Sequence, residues 1–318
     1  MSDRLKRTVE RFKTRIESGA YYEAHQTIRT IVNRHVKAKQ YSEAVDLLYE
    51  GANALADKKE YASAGDLVGY ILAVYEEAGV TGNDHKQRLI EVINKFPNTE
   101  DNTLIDISKE AIKWSKTASG SPFGDSDLHL VFGSKLIQRV QSLNLSKSAE
   151  DSYKLFQVAE VNLVLGSHQC LPLYVDFLYQ WYVASDGLND PGLYLARAVI
   201  NYAYLKNIKF VLESVNRFVE QLSNAKQPTE IIETEGVVVK FYDNCPLLNF
   251  VQLLALTLSR ENSSAKFMKL YDEYRQTIEA NELTNSIDYL GRLYYDLKLG
   301  NANGGNNMFA NLMSGLFK

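Results

Sequence analysis

A chain of 318 residues with 45% hydrophobic content has ample material for a core, and its six Pro favour helix over irregular structure. A net charge of −4 and a pI near 5.8 exclude a general nucleic-acid binder. The N-terminus has no apolar signal core and no run approaches 18 apolar residues, so a soluble, cytosolic chain is expected. Two cysteines, Cys170 and Cys245, stand far apart in apolar surroundings and read as buried thiols of a reducing compartment.

The first predicted helix spans 3–18, with Leu5, Val9, Phe12 and Ile16 on one face and Gly19 at its end. Three helices follow at 21–38, 41–57 and 61–78, each opening with Tyr-x-x-Ala: Tyr21/Ala24, Tyr41/Ala44 and Tyr61/Ala64. The interval is 20 residues both times, the length of one helix plus a short turn, so two units make a helical hairpin. The expected buried sets are Tyr21, Ala24, Ile28, Ile31 and Val32; then Ala44, Val45, Leu48, Ala52 and Leu55; then Ala64, Leu67, Val68, Ile71 and Tyr75.

Helices are predicted next at 84–95 and 101–118, then a loop punctuated by Gly120, Pro122 and Gly124, then a helix capped by Asp125 or Ser126. Segments 148–164 (opening with a capping box, Ser148–Asp151), 169–184, 190–204 and 207–223 continue the helical pattern. It breaks at Thr229–Asp243, where Ile231, Ile232 and the run Val237–Tyr242 read as a β-hairpin about Glu235-Gly236. A lone hairpin is marginal in water, so its apolar side must rest on the helices or on a partner. Helices at 246–260, 263–280 and 282–298 complete the predicted body. Gly300–Asn307 reads as a linker, and Phe309, Leu312, Met313, Leu316 and Phe317 form a short amphipathic stripe that must dock on its own domain or on a partner. The fold class is therefore all-α: an α-solenoid of stacked helical hairpins, tetratricopeptide-like, with one β-hairpin in its C-terminal half. It divides into an N-terminal half at 1–147, a C-terminal half at 148–299 and a tail at 300–318.

Signatures of catalysis are missing: there is no Gly-rich phosphate loop, His-Glu-x-x-His, Cys-x-x-Cys or Gly-x-Ser-x-Gly. The five His are scattered, and Asp125 and Asp127 read as capping residues. No enzyme, cofactor or metal site is expected. Charge is more informative. Residues 1–40 carry a net +6 and the remainder −10. On the first helix Arg4, Arg11 and Arg15 fall together beside the apolar stripe. On the second, Arg34 and Lys37 point away from the apolar arc and Arg29 lies at its edge. This is either a solvated face or a docking face for an acidic partner.

Tyr21-Tyr-Glu-Ala-His-Gln-Thr-Ile-Arg-Thr-Ile-Val-Asn-Arg34 closely resembles the N-terminal signature of subunit four of the fungal Guided Entry of Tail-anchored proteins pathway. Phe123-Gly-Asp125 with Leu128-His129 and Gly133–Leu136, Tyr174–Leu178, Leu248–Leu254 and the ending Met308–Phe317 are similar to that family too. The resemblance implies a non-enzymatic cytoplasmic scaffold that relays tail-anchored membrane proteins toward the endoplasmic reticulum. Its N-terminal half would dock a homodimeric targeting ATPase, through His25, Arg29 and Arg34 of the matched signature and through Asp66 and Glu76, similar to the family's regulatory acidic region. Arg11, Arg15 and Lys37 join that face on the helix-wheel argument alone. The C-terminal half would hold a ubiquitin-like-domain partner, with the hairpin residues Ile231, Ile232, Val237, Val239, Phe241 and Tyr242, together with Phe250 and Tyr294, assigned to its docking. No nucleic acid and no membrane insertion are implied. The alternative is a helical-repeat subunit of another cytosolic assembly.

Overall fold

The computed structural model describes residues 3–98, 102–143, 149–185, 189–234 and 237–298. The capping box at Ser148–Asp151, the turn at Glu235-Gly236 and everything from Gly300 onward fall outside the described residues or side chains. The described residues form fifteen helices and one two-stranded sheet. They divide into two compact units, Met1–Gly166 and Ser167–Lys318, the boundary falling one helix later than the sequence reading placed it.

The first unit contains α1 (Asp3–Glu17), α2 (Tyr21–Lys37), α3 (Tyr41–Asp57), α4 (Tyr61–Ala78), α5 (Asn83–Asn94), α6 (Thr103–Ser119), α7 (Ser126–Ser142) and α8 (Ala149–Leu165). The 20-residue period has a backbone cause that Tyr-x-x-Ala only hints at. Gly19, Lys39, Lys59 and Gly79 all have positive φ. Each ends its helix in a Schellman motif, with Ala20, Gln40, Glu60 and Val80 donating backward to Arg15, His35, Leu55 and Tyr75. Glycine adopts this conformation without penalty. Lysine does so at a cost of about 1 kcal/mol, which the packing of the flanking helices overrides. Three helices thus start on Tyr two residues after the reversal, and their Ala24, Ala44 and Ala64 are fully buried where neighbouring backbones approach.

The predicted apolar faces of α1, α3 and α4 are buried throughout, but on α2 Tyr21 and Ile31 are half-buried, at the margin of the packed face. α3 lies between α2 and α4, so closely that a Cβ on Gly51 would meet Ile28 and Leu67 side-chain atoms at 2.6 and 2.9 Å. Each fully buried Leu, Ile or Val on these faces contributes about 1.5–3 kcal/mol.

Side-chain bonds between helices carry the same repeat. Tyr41 and Glu77, Arg88 and Asp46, and Lys95 and Asp57 lie 36, 42 and 38 residues apart. The last two join α3 to α5 and its C-terminal end, one hairpin further on, and the first joins α3 to the neighbouring α4.

The second unit contains α9 (Cys170–Ala184), α10 (Gly192–Tyr204), α11 (Ile208–Ala225), β1 (Glu230–Thr234), β2 (Val237–Phe241), α12 (Pro246–Leu258), α13 (Ser264–Glu273), α14 (Arg275–Ala280) and α15 (Thr284–Tyr295). The single helix predicted at 263–280 is two, broken at Tyr274, whose own N–H still bonds Leu270 while its backbone turns aside (φ −101°, ψ 14°). α15 stops at Tyr295 because Asp296 turns left-handed. Asp190 organises this unit. Its carboxylate accepts from Gly192 N at 2.8 Å and, across the core, from Leu247 N at 2.8 Å and Leu248 N at 3.1 Å. One side chain therefore satisfies first-turn N–H groups of both α10 and α12. Gly192 makes the approach feasible, since a Cβ there would lie 2.2 Å from Leu248 N. Burial pushes the Asp190 carboxyl up from its ordinary value, against the pull of these three backbone bonds.

Both cysteines are buried and free, and burial pushes the Cys170 thiol up to about 12. Such thiols stay protonated and inert.

Candidate docking surfaces

The N-terminal surface is built on α1, α2 and α4. The i, i+4 spacing of Arg11 and Arg15 places both on the exposed side of α1, and Arg15 donates to the Thr27 hydroxyl on α2. On α2 the ladder His25, Arg29, Asn33 meets the ladder Asp66, Tyr70 on α4. His25 Nε2 lies 2.8 Å from Asp66 Oδ2, and Arg29 donates to the same oxygen. The Arg29 guanidinium sits 5.4 Å from the Tyr70 ring centre, and Tyr70 OH donates to Asn33 at 3.2 Å. Partial burial would raise the Asp66 carboxyl, but hydrogen bonds from Arg29 and His25 outweigh it and hold the carboxyl below its ordinary value.

Arg29 is half-buried and shared between a carboxylate and a ring rather than standing as a free surface cation. Glu76, further along α4, pairs with Lys113 of α6 at 2.8 Å. Arg11, Arg34 and Lys37 remain exposed with no side-chain partner among the described residues. At the other end of α2 Tyr22 is 72% exposed, a residue that periodicity alone had left unremarked. The Arg4 side chain lies outside the description.

The C-terminal surface is the hairpin. β1 and β2 pair antiparallel, with Ile232 opposite Val239 and Glu233 opposite Val238. The outer edge of β2 is completed by a helix. Lys240 N donates to Gln252 Oε1 at 3.2 Å, and Gln252 Nε2 donates to Lys240 O at 2.8 Å. Two residues on, Tyr242 N donates to Asn249 Oδ1 at 3.1 Å, and Asn249 Nδ2 donates to Tyr242 O at 2.9 Å. Two buried primary amides, three apart on α12, thus supply the donor–acceptor pattern of a neighbouring strand, which spares β2 an unpaired edge. This explains chemically why the stretch Leu248–Leu254 carries Asn and Gln within a helix that is otherwise apolar.

The attachment divides the expected docking residues. Val239, Tyr242 and Phe250 are buried against the chain's own helices and are packing residues, closed to a partner. Tyr294 is half-buried and anchors α15, its hydroxyl donating to Ala203 O at 2.8 Å. Val237 and Phe241 are half-buried. Ile231 and Ile232 are exposed, and with them Val238, which sequence reading had not singled out.

A cavity of about 180 Å³ lined by Gly82, Asn83, Lys86, Trp114, Ser115 and Asp125 is internally satisfied. The Lys86 ammonium is shared by Asp125 and Asp127, and Ser115 Oγ is held by Ile112 O and Asp125 N. Asp125 caps α7, as its position in sequence implies. His129 is fully buried, with Nδ1 2.8 Å from Asn162 Oδ1 and Nε2 2.9 Å from Phe123 O. It pins the loop before α7. Among the described residues no group of His, Cys, Asp and Glu could hold a metal ion, and no helix is long and apolar enough to cross a membrane.

Stacked helical hairpins with a basic edge and an apolar ribbon left outside define a scaffold-type protein. The family model described as Golgi to ER traffic protein 4 matches residues 38–317, and the chain belongs to that family. It is 30% identical over 300 residues to Golgi to ER traffic protein 4 of Schizosaccharomyces pombe, covering 93% of this chain and 90% of the relative. Against the Aspergillus fumigatus protein of the same name it is 31% identical over 316 residues, covering 94% and 86%. The human homologue is 23% identical, covering 98% and 86%. The crystal structure of C. therm. Get4 shares the fold, with a TM-score of 0.81 at 23% identity over 99% of this chain and 96% of that one.

Proposed function

We propose that this protein is a non-enzymatic cytoplasmic adaptor in the delivery of tail-anchored membrane proteins to the endoplasmic reticulum. It bridges a homodimeric targeting ATPase and a ubiquitin-like-domain partner. The observation that carries the reading is the separation of two unlike surfaces on a chain of this family: an unpaired basic edge in the first unit and an exposed apolar hairpin in the second. Arg11, Arg34 and Lys37 meet an acidic face of the ATPase, with the exposed Tyr22 at the other end of α2. Arg15, His25, Arg29 and Asp66 hold the edge in shape, and Glu76 lies at its far margin. Ile231, Ile232 and Val238, with Val237 and Phe241 at their border, take the ubiquitin-like partner.

Exposed charges steer encounter and are screened by salt, so ATPase association is fast and weakens with ionic strength. Apolar burial gives the second complex its permanence. The test is Arg34→Glu with Lys37→Glu, both exposed and outside the core. Calorimetry is expected to show ATPase affinity reduced about tenfold or more, with the ubiquitin-like partner still bound. Unchanged ATPase affinity would sink the assignment.

A further inference from the structure

We propose that the chain's own C-terminal segment, Met308–Phe317, docks as an amphipathic helix on the outer face of the β1–β2 hairpin. That segment lies outside the described residues, and the proposal rests on the surface that is described and on sequence. It goes beyond the docking reading above and does not depend on it.

The surface comes first. The register places Ile231 opposite Lys240 and Val238 opposite Glu233, on the face turned from Val239. On that face Ile231 is 58% exposed and Val238 47%, while Ile232, paired with Val239, belongs to the other face. The other large exposed hydrophobics of the described residues are Tyr22, Tyr153, Leu173, Val183 and Leu193, spread over four helices, the two on α9 being ten residues apart. Single exposed apolar residues are ordinary, whereas Ile231 and Val238, diagonal neighbours on one face of a short ribbon, mark a surface that is covered in use.

The occupant is argued from pattern, size, tether and charge. Phe309, Leu312, Met313, Leu316 and Phe317 repeat at helical spacing and leave one apolar stripe that no isolated helix this short sustains. Ten helical residues span about 15 Å, and five-residue strands about 17 Å. The origin of the tether is close. Tyr295, the last residue of α15, donates its hydroxyl to Thr257 O at 2.5 Å, on the helix whose Gln252 holds β2. Thr257 and Gln252 are separated by about 7.5 Å along α12. The residues between Lys298 and Met308 reach up to about 33 Å, so the hairpin is well within range. A tether this short gives an effective concentration on the order of millimolar, enough for a weak contact to be filled. The outer face of β1 carries Glu233, while the segment has no acidic residue and is followed by Lys318.

The test compares hydrogen exchange of the full chain with that of the full-length Leu312→Asp, Leu316→Asp variant, no partner being present. Peptides covering 229–243 are expected to exchange several-fold faster in the variant. A synthetic peptide of residues 305–318 added to the variant restores the slower rate. The Ile231→Asp chain shows the same loss, and adding the two tail substitutions to it causes no further change. Unchanged exchange at 229–243 overturns the proposal. So does peptide protection confined to another region, or protection that grows with protein concentration, which would assign the segment to a second copy. Because no partner is in the measurement, failure here leaves the docking reading of the hairpin standing.

Discussion

The basic edge of α2 and the hairpin of the second unit solve opposite problems. At the edge, charges are numerous and the chain satisfies several of them itself, gathering His25 and Arg29 on one carboxylate. At the hairpin, Asn249 and Gln252 absorb the backbone polarity of Lys240 and Tyr242 on the β2 edge, and apolar side chains are left outside. The titration of one aspartate in each unit follows the same division. Asp66 is held down by its cationic neighbours, whereas Asp190, beneath the hairpin's platform, is pushed up by burial. A surface of exposed ions is tunable by salt and acidity, and a surface standing on buried amides depends on the integrity of what lies beneath it.

The largest expected break is Asp190→Ala. It orphans three backbone N–H groups at two helix starts and should cost about 2–4 kcal/mol. Hydrogen exchange should show the loss in α10, α12 and the hairpin while α1–α4 keep their protection. Equal loss in both units would end the comparison.

Next is Gln252→Leu, similar in volume but without the amide. It strands Lys240 N and O and should cost about 1–3 kcal/mol, read as faster exchange at 237–242 with a smaller change in the global melt. No change at 237–242 would show that the hairpin does not need its helical edge.

The smallest is Asp66→Asn. Its ion pairs are substantially exposed, so the loss near neutral pH should stay below about 1 kcal/mol by urea unfolding. The sign follows from the lowered carboxyl. The wild-type advantage is complete above the ordinary aspartate value and disappears as pH falls through the lower folded value. An advantage that persisted in acid would mean packing, not charge, joins α2 to α4.

Much of this was legible in sequence, because amphipathic periodicity is a local property. Leu5, Val9, Phe12 and Ile16 are buried as their spacing requires, and the Tyr-x-x-Ala starts fall where α2, α3 and α4 begin. The break at Tyr274 was hidden because neither Gly nor Pro marks it. The surfaces were half legible. Arg34 and Lys37 are exposed by phase alone. Arg29 has a partner 37 residues away on the next hairpin, and no local pattern reports that pairing. Likewise a valine run announces a strand but not which valine faces inward. The register buries Val239 and exposes Val238, and that is fixed by amides in a helix still to come.

That order has a consequence for synthesis. Translation delivers β1 and β2 before α12, so the ribbon leaves the ribosome with one edge bare. Asn249 and Gln252 become available only after a further stretch of chain has been made, and the start of α12 must then find Asp190, made 57 residues before Leu247. Until that junction closes, the nascent segment presents an open strand edge flanked by β-branched residues, the kind of surface that chaperones shield and that pairs wrongly when left uncovered.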